Sequence, residues 1–247
     1  MKWRFIYRGL KARYRDQRLE LMAMTQALKS NDIAIDVGAN KGSYLWALSK
    51  AVPKGKVVAF EPQSLLSTYL VQACCSAGLN NVLIESIGVS NRDQILTLAI
   101  PGGLATSPGA SFEAAVRDRE ECKTLEVQTV TLDHYFARME GRIGAIKIDV
   151  EGHELAVLEG ARELFMAHRP VVVCESERRH MSTGCVADVF AFFRGLGYRG
   201  WFIRAGVLLD ISEFSPDVHQ AEIGDRFWDS PSYCNNFIFR PGNEESK

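Results

Sequence analysis

The sequence predicts an α/β fold, a mostly parallel sheet with helices on both faces, and three observations carry that prediction. Short apolar runs at 33–37, 57–60 and 82–85 alternate with helix-like stretches at 42–51 and 64–77. A glycine-bearing turn joins the first run to the first of these helices, where Asp36 is followed closely by Gly38. The same strand–helix pace resumes at residue 143 after an irregular middle.

Taken in order, residues 1–30 read as a helical extension and 31–247 as the main domain. In the extension, Trp3, Ile6, Tyr7, Leu10 and Tyr14 recur at spacings of three and four, one face of a helix. Lys2, Arg4, Arg8, Lys11, Arg13, Arg15 and Arg18 stand there against Asp16 alone. Two readings fit: a helix packed on the domain with a solvated basic face, or peripheral contact with an anionic membrane surface or acidic substrate.

The run at 33–37 is the first strand, and Pro53-Lys54-Gly55 ends the helix that follows it. The second strand, 57–60, closes on Glu61-Pro62. Leu65, Leu66, Tyr69, Leu70 and Ala73 give the next helix its buried stripe, and Gly78 stops it before the third strand at 82–85. Residues 93–100 predict an added strand and 125–130 another. Between them, 101–111 (PGGLATSPGAS) reads as a long loop of the lid or binding kind, and 117–123 is charged and surface-like. A strand at 143–150, a helix at 153–167, a strand at 171–174 reaching Glu175 and a helix at 186–196 follow. Strands at 198–203 and 237–239 end the domain, paired as a hairpin across a long excursion.

Composition narrows the function. With 47% hydrophobic residues the chain can fill a core, and a net charge of −1 argues against nucleic acid as the partner. No apolar run approaches the ~20 residues that span a bilayer, and the N-terminus lacks the apolar core of a signal peptide. Six cysteines without a metal-type spacing read as reduced thiols of a cytoplasmic protein.

Three stretches carry chemistry. In IDVGANKG (35–42) the glycine turn sets backbone N–H groups at a helix start. Its Gly-x-x-x-Gly spacing lacks the third glycine of the dinucleotide fingerprint G-x-G-x-x-G. Asp36 before the turn gives a pyrophosphate little, but suits a ligand with an amine or sulfonium. That points to S-adenosylmethionine, with an NAD-dependent oxidoreductase as the alternative. In VVAFEP (57–62) Glu61, nineteen residues after Gly42, can accept hydrogen bonds from both ribose hydroxyls of an adenosine. In KIDVEGHE (147–154) Lys147, Asp149 and Glu151 share one strand face, with His153 and Glu154 at the following turn. A buried Lys147 needs a carboxylate partner. Glu151 and Glu154 also suit a helix N-terminus. A divalent metal held by Asp149, Glu151 and His153 is an alternative not favoured, because no metal-type spacing supports it.

DVGANKG, FEP, TVTLDHYF (129–136), KIDVEGHELAVLEGA and the closing NNFIFRP together resemble the FkbM-type methyltransferases, a branch of the class I S-adenosylmethionine-dependent enzymes. The likeness runs from about residue 31 to 241, leaving 1–30 and the loop 101–123 outside it. It implies a Rossmann-like, doubly wound sheet of about seven strands, the last antiparallel. It also implies O-methylation of a hydroxyl on a sugar, glycan or polyketide-like acceptor. By motif, Asp36, Gly38, Asn40 and Gly42 would hold the methionyl end of the donor, Glu61 the ribose, and Ile87 and Gly88 the adenine. Lys147, Asp149, Glu151 and His153 would lie beside the transferred methyl group, with Asp149, then His153, as the expected general base. Arg178, Arg179 and His180 after Glu175, and the loop 101–123, are expected to meet the acceptor. A methyltransferase-like scaffold that binds without turnover is the non-enzymatic alternative.

Overall fold

The computed structural model describes residues 2–102, 105–118 and 121–242. Of the expected segments, Met1, residues 243–247, and residues 103–104 and 119–120 of the long loop lie outside the described residues.

In chain order the strands are β1 (Ile33–Val37), β2 (Lys56–Phe60), β3 (Val82–Glu85), β4 (Gly88–Val89), β5 (Gln94–Pro101), β6 (Cys122–Val130), β7 (Ile143–Ile148), β8 (Val171–Glu175), β9 (Tyr198–Arg204), β10 (Val207–Asp210) and β11 (Asn236–Pro241). The main sheet runs β10-β9-β11-β8-β7-β1-β2-β3. Strands β3, β2, β1, β7 and β8 are parallel, and β11 lies antiparallel between β8 and β9. This is the expected doubly wound sheet with its last strand reversed. The predicted pairing of 198–203 with 237–239 is present, Phe202 opposite Phe237.

The main sheet has eight strands rather than about seven because β10 folds back on β9. Its turn is Ala205-Gly206, with φ of 47° and 77°, lacking the Asn-Gly signature that would have marked it in the sequence. The strands expected at 93–100 and 125–130 pair with each other, β5 against β6, in a separate three-stranded sheet.

Two helical expectations are corrected. The stretch 153–167 forms two helices, Glu154–Glu159 and Arg162–His168, rather than one. The break falls at Gly160, where a Cβ would lie 2.2 Å from the Ser90 carbonyl oxygen, so the backbones already touch. At the N-terminus, two helices, Lys2–Lys11 and Arg18–Ala27, flank a π-turn at Ala12–Asp16. The face buried there is Phe5, Gly9 and Ala12, while Trp3 (77% exposed), Tyr7 (66%) and Tyr14 (69%) face outward. Gly9 decides it: a Cβ there would sit 2.6 Å from Cβ of Trp46, a closeness only glycine allows.

Hydrophobic cores lie on each side of the sheet, and β1 and β7 are buried along their whole lengths. Polar side chains on these strands therefore gather at their C-terminal ends, where a parallel sheet opens its crevice.

Candidate active site

The glycine turn is held from three sides. The N–H groups of Gly38 and Ala39 both donate to the Phe60 carbonyl at 3.0 Å. Gly38 has φ of 80°, and a Cβ on it would lie 1.8 Å from the Asp149 carbonyl oxygen, so the end of β7 presses on the turn. Asn40, also left-handed at φ 47°, donates its N–H to Glu61 Oε2 at 2.7 Å, and the Gln63 N–H donates to Glu61 Oε1 at 2.9 Å. Strand ends β1, β2 and β7 are thereby locked around one crevice.

A cavity of about 250 Å³ occupies it. Gly38, Asn40, Glu61, Ile87, Gly88, Asp149 and Glu151, seven residues singled out in the sequence, line it together with Glu175. A second cavity of about 290 Å³ adjoins it and adds Asp36 and Lys147. Gly42 faces elsewhere: a Cβ there would meet Leu70 and Phe5 in the core, so its role is packing. Gln63, which no sequence pattern marked, also lines the first cavity, together with Ser111 and Phe112 of the loop expected to meet the acceptor. Gln63 and Ser107 exchange two 2.9 Å hydrogen bonds, and Ser111 Oγ donates to the Glu151 carbonyl at 2.6 Å, fixing part of the long loop over the crevice.

Charge is arranged in pairs. Lys147, in register with Asp36 across the strands, sets Nζ 3.1 Å from Asp149 Oδ2 and 5.4 Å from the Tyr44 ring centre. Burial works against its charge, but Asp149, Glu175 and Asp36 outweigh that and hold its pKa above the ordinary lysine value. Burial pushes the Asp36 carboxyl up to about 7, with Lys147 opposing. It pushes Glu61 to about 7 and Glu154 to about 8. Glu154 is buried, accepting from the Gly152 N–H at 2.9 Å, so it closes the turn and its own helix start.

Glu151 and His153, adjacent in the motif, part company. Glu151, left-handed at φ 52°, meets His180 Nδ1 at 2.7 Å. Both line a third cavity of about 250 Å³ together with Arg179 and Pro108 of the long loop. His153 lines none of these three cavities; its ring nitrogens contact Ser90 Oγ at 2.9 Å and Glu113 Oε1 at 2.8 Å. With Asp149 turned to Lys147 and Glu151 to His180, the three residues considered for a metal do not form a donor set. Among the described residues no group of three or more His, Cys, Asp and Glu side chains could hold a metal ion. Arg179 binds Glu177 at 2.5 Å, whereas Arg178 is directed to exposed Asp217 at 2.8 Å and away from the crevice.

Comparisons with known proteins bear on the family and the fold. Residues 36–199 match the model of the methyltransferase FkbM domain. The methyltransferase sdnD of Sordaria araneosa is 28% identical over 163 residues, covering 55% of this chain and 62% of that protein. The chain thus spans under two thirds of this curated relative's length. Among solved structures, a methyltransferase FkbM from Methylobacillus flagellatus superposes with a TM-score of 0.52 at 16% identity, over 85% of this chain and 44% of that one. A Streptococcus mutans protein solved in complex with SAH superposes with a TM-score of 0.52 at 12% identity, over 92% of this chain and 97% of that one.

Proposed function

This chain belongs to the methyltransferase FkbM family, and from that premise we propose that it transfers a methyl group from S-adenosylmethionine to a hydroxyl of a sugar, glycan or polyketide-like acceptor. The observation that carries the donor is the pair of buried carboxylates at consecutive strand ends around one glycine turn. Asp36 Oδ2 is buried without a hydrogen-bond partner, fitting a cationic amino group, and Glu61 faces the adjoining cavity, fitting a ribose. The fold likeness to a protein solved with SAH supports the same donor. An NAD site would want the third glycine that the turn lacks.

When bound, S-adenosylmethionine supplies an electrophilic methyl group; the chain's own residues must orient the acceptor hydroxyl, exclude water and take its proton. Asp149 and the Glu151–His180 pair are placed to take it. We favour His180: Glu151 orients its ring, and the pair stands between the first and third cavities, whereas Asp149 is already neutralised by Lys147. Glu113 and Ser90 give His153 a supporting role behind the crevice. The chain's net charge of −1 supports a neutral polyhydroxyl acceptor over a phosphate-rich nucleic acid. Buried thiols at Cys74, Cys174 and Cys234 support a reducing, cytoplasmic setting.

Calorimetric titration with S-adenosylhomocysteine, with NAD as control, tests the donor. Binding of the first that is lost in an Asp36→Ala, Glu61→Ala variant is expected; preference for NAD would overturn the reading. Bound S-adenosylhomocysteine without methyl transfer to any hydroxyl acceptor would leave a binding scaffold.

A further inference from the structure

The structure assigns the N-terminal segment, which lies outside the matched family region, a part in the donor site: it completes the pocket for the amino-acid end of S-adenosylmethionine. This rests on the donor reading above. The second cavity is walled by the β1 end, by the turn after it, and by Arg8 and Gln17 of the N-terminal segment. Four polar side-chain atoms on its walls are buried without a hydrogen-bond partner: Asp36 Oδ2, Asn40 Oδ1, Gln17 Oε1 and the Tyr44 hydroxyl. Among the described residues one further atom of this kind occurs, the Tyr198 hydroxyl, and Tyr198 lines none of the three cavities of the crevice. Buried polar atoms are almost always paired, so four on one cavity mark a missing polar ligand.

The set has a chemical sense. Asp36 Oδ2, Asn40 Oδ1 and Gln17 Oε1 are acceptors, and an α-ammonium group offers three N–H donors and no acceptor. The Tyr44 hydroxyl is the orphan that can donate, and it suits the α-carboxylate. Gln17 owes its place to the π-turn. Its N–H donates to the Ala12 carbonyl at 2.8 Å, and its backbone leaves the helix at φ −128°, ψ 38° before the helix resumes at Arg18. A π insertion shifts side chains out of helical register, and such insertions gather at functional sites. The segment is also tied to the glycine turn. Arg8 Nη1 donates to the Lys41 carbonyl at 3.0 Å and to the Tyr69 hydroxyl at 3.2 Å, and Phe5 packs against Gly42.

The test compares two ligands by calorimetry on the full chain: S-adenosylhomocysteine, and 5′-methylthioadenosine, which lacks the amino-acid end. Gln17→Leu and Tyr44→Phe should each weaken S-adenosylhomocysteine about tenfold, the worth of one charge-assisted hydrogen bond, and leave 5′-methylthioadenosine within about twofold. Gln17→Glu, which keeps the acceptor, should retain the preference for S-adenosylhomocysteine. Equal weakening of both ligands would mean that Gln17 and Tyr44 only support the fold, and unchanged affinity in Gln17→Leu would remove the segment from the site. An unsubstituted chain that binds neither compound would overturn the donor reading itself, an outcome visible before any variant is made.

Discussion

Asp36 sits where its charge can be tuned by pH, because burial raises its carboxyl to about 7 while Lys147 pulls the other way. The carboxylate, not the acid, attracts an ammonium group. Affinity for S-adenosylhomocysteine should therefore rise from pH 6 to pH 8 and flatten above, and an Asp36→Asn variant should bind more weakly with no such slope. The stability of the ligand-free chain should run the opposite way. Asp36, Glu61 and Glu154 all have folded values raised by burial, to about 7, 7 and 8, so the native state holds protons that the unfolded chain has released. Their contribution is full below the ordinary carboxylate range and is lost as pH rises through 7 to 8. Melting temperature measured without ligand should fall between pH 5 and pH 8, while the increase produced by S-adenosylhomocysteine grows. Glu113 and Glu177, whose values are lowered against burial by His153 and Arg179, act in the opposite sense, but only at more acid pH. His153 gives a contrasting residue-level case. Its ring bridges Ser90 and Glu113 behind the crevice, so His153→Ala should cost about 1–3 kcal/mol of stability in denaturant titration and leave donor affinity unchanged.

Elements separate what local sequence can specify from what packing decides. The β1 turn was readable because its parts are local: a buried strand, a carboxylate, and glycines that release φ. The same holds for Glu61 at the end of β2. Its glycines nonetheless differ in a way spacing hides. Gly38→Ala must push a Cβ into the Asp149 carbonyl, whereas Gly78→Ala, at φ 71° with nothing within 4 Å, meets only the backbone preference. Gly78→Ala should lower stability by about 1–2 kcal/mol and spare binding; Gly38→Ala should cost more and abolish S-adenosylhomocysteine binding. Comparable effects from both would mean that the turn tolerates displacement of β7. The N-terminal helix shows the other side. Two stripes satisfy its periodicity, Trp3-Tyr7-Leu10-Tyr14 and Phe5-Gly9-Ala12, and hydrophobicity alone favours the first. The second is buried because Gly9 fits against Trp46 and Phe5 against Gly42, each contact 37 residues away in the chain. His180 escaped assignment as the partner of Glu151 for the same reason: β8 and the turn after it bring it there, and nothing next to it in the sequence announces a carboxylate. Gln63, at the start of the helix after β2, belongs to no motif, whereas Ser111 and Phe112 fall in the long loop whose composition marked it without marking them individually.

At the scale of the whole molecule, charge is divided unevenly along the chain. Residues 1–18 hold seven basic side chains against one acidic, leaving 22 basic against 29 acidic in the remainder. An anionic surface would repel the body of the protein and attract this end. The packing that buries Phe5 and Gly9 turns Trp3, Tyr7 and Tyr14 outward among those charges, which is the composition of a helix that lies in a lipid interface. No helix among the described residues is long and apolar enough to cross a membrane, so contact by this helix would be peripheral. Within the first helix, Lys11 already pairs with Asp16 and Arg8 is spent on the Lys41 carbonyl, which leaves exposed Lys2 and Arg4 as its cations best placed to meet lipid headgroups. Each basic residue near such a surface is worth about 1 kcal/mol. Sedimentation with vesicles containing anionic lipid should therefore carry the full chain down at low salt. Lys2→Glu with Arg4→Glu should reduce binding by at least about tenfold, added salt should weaken it, and Trp3→Ala should weaken it without changing the salt response. Equal binding to neutral vesicles would assign the attraction to the aromatic face alone. No binding to either would leave the basic face as a solvated one, and the N-terminal segment with only its work at the glycine turn.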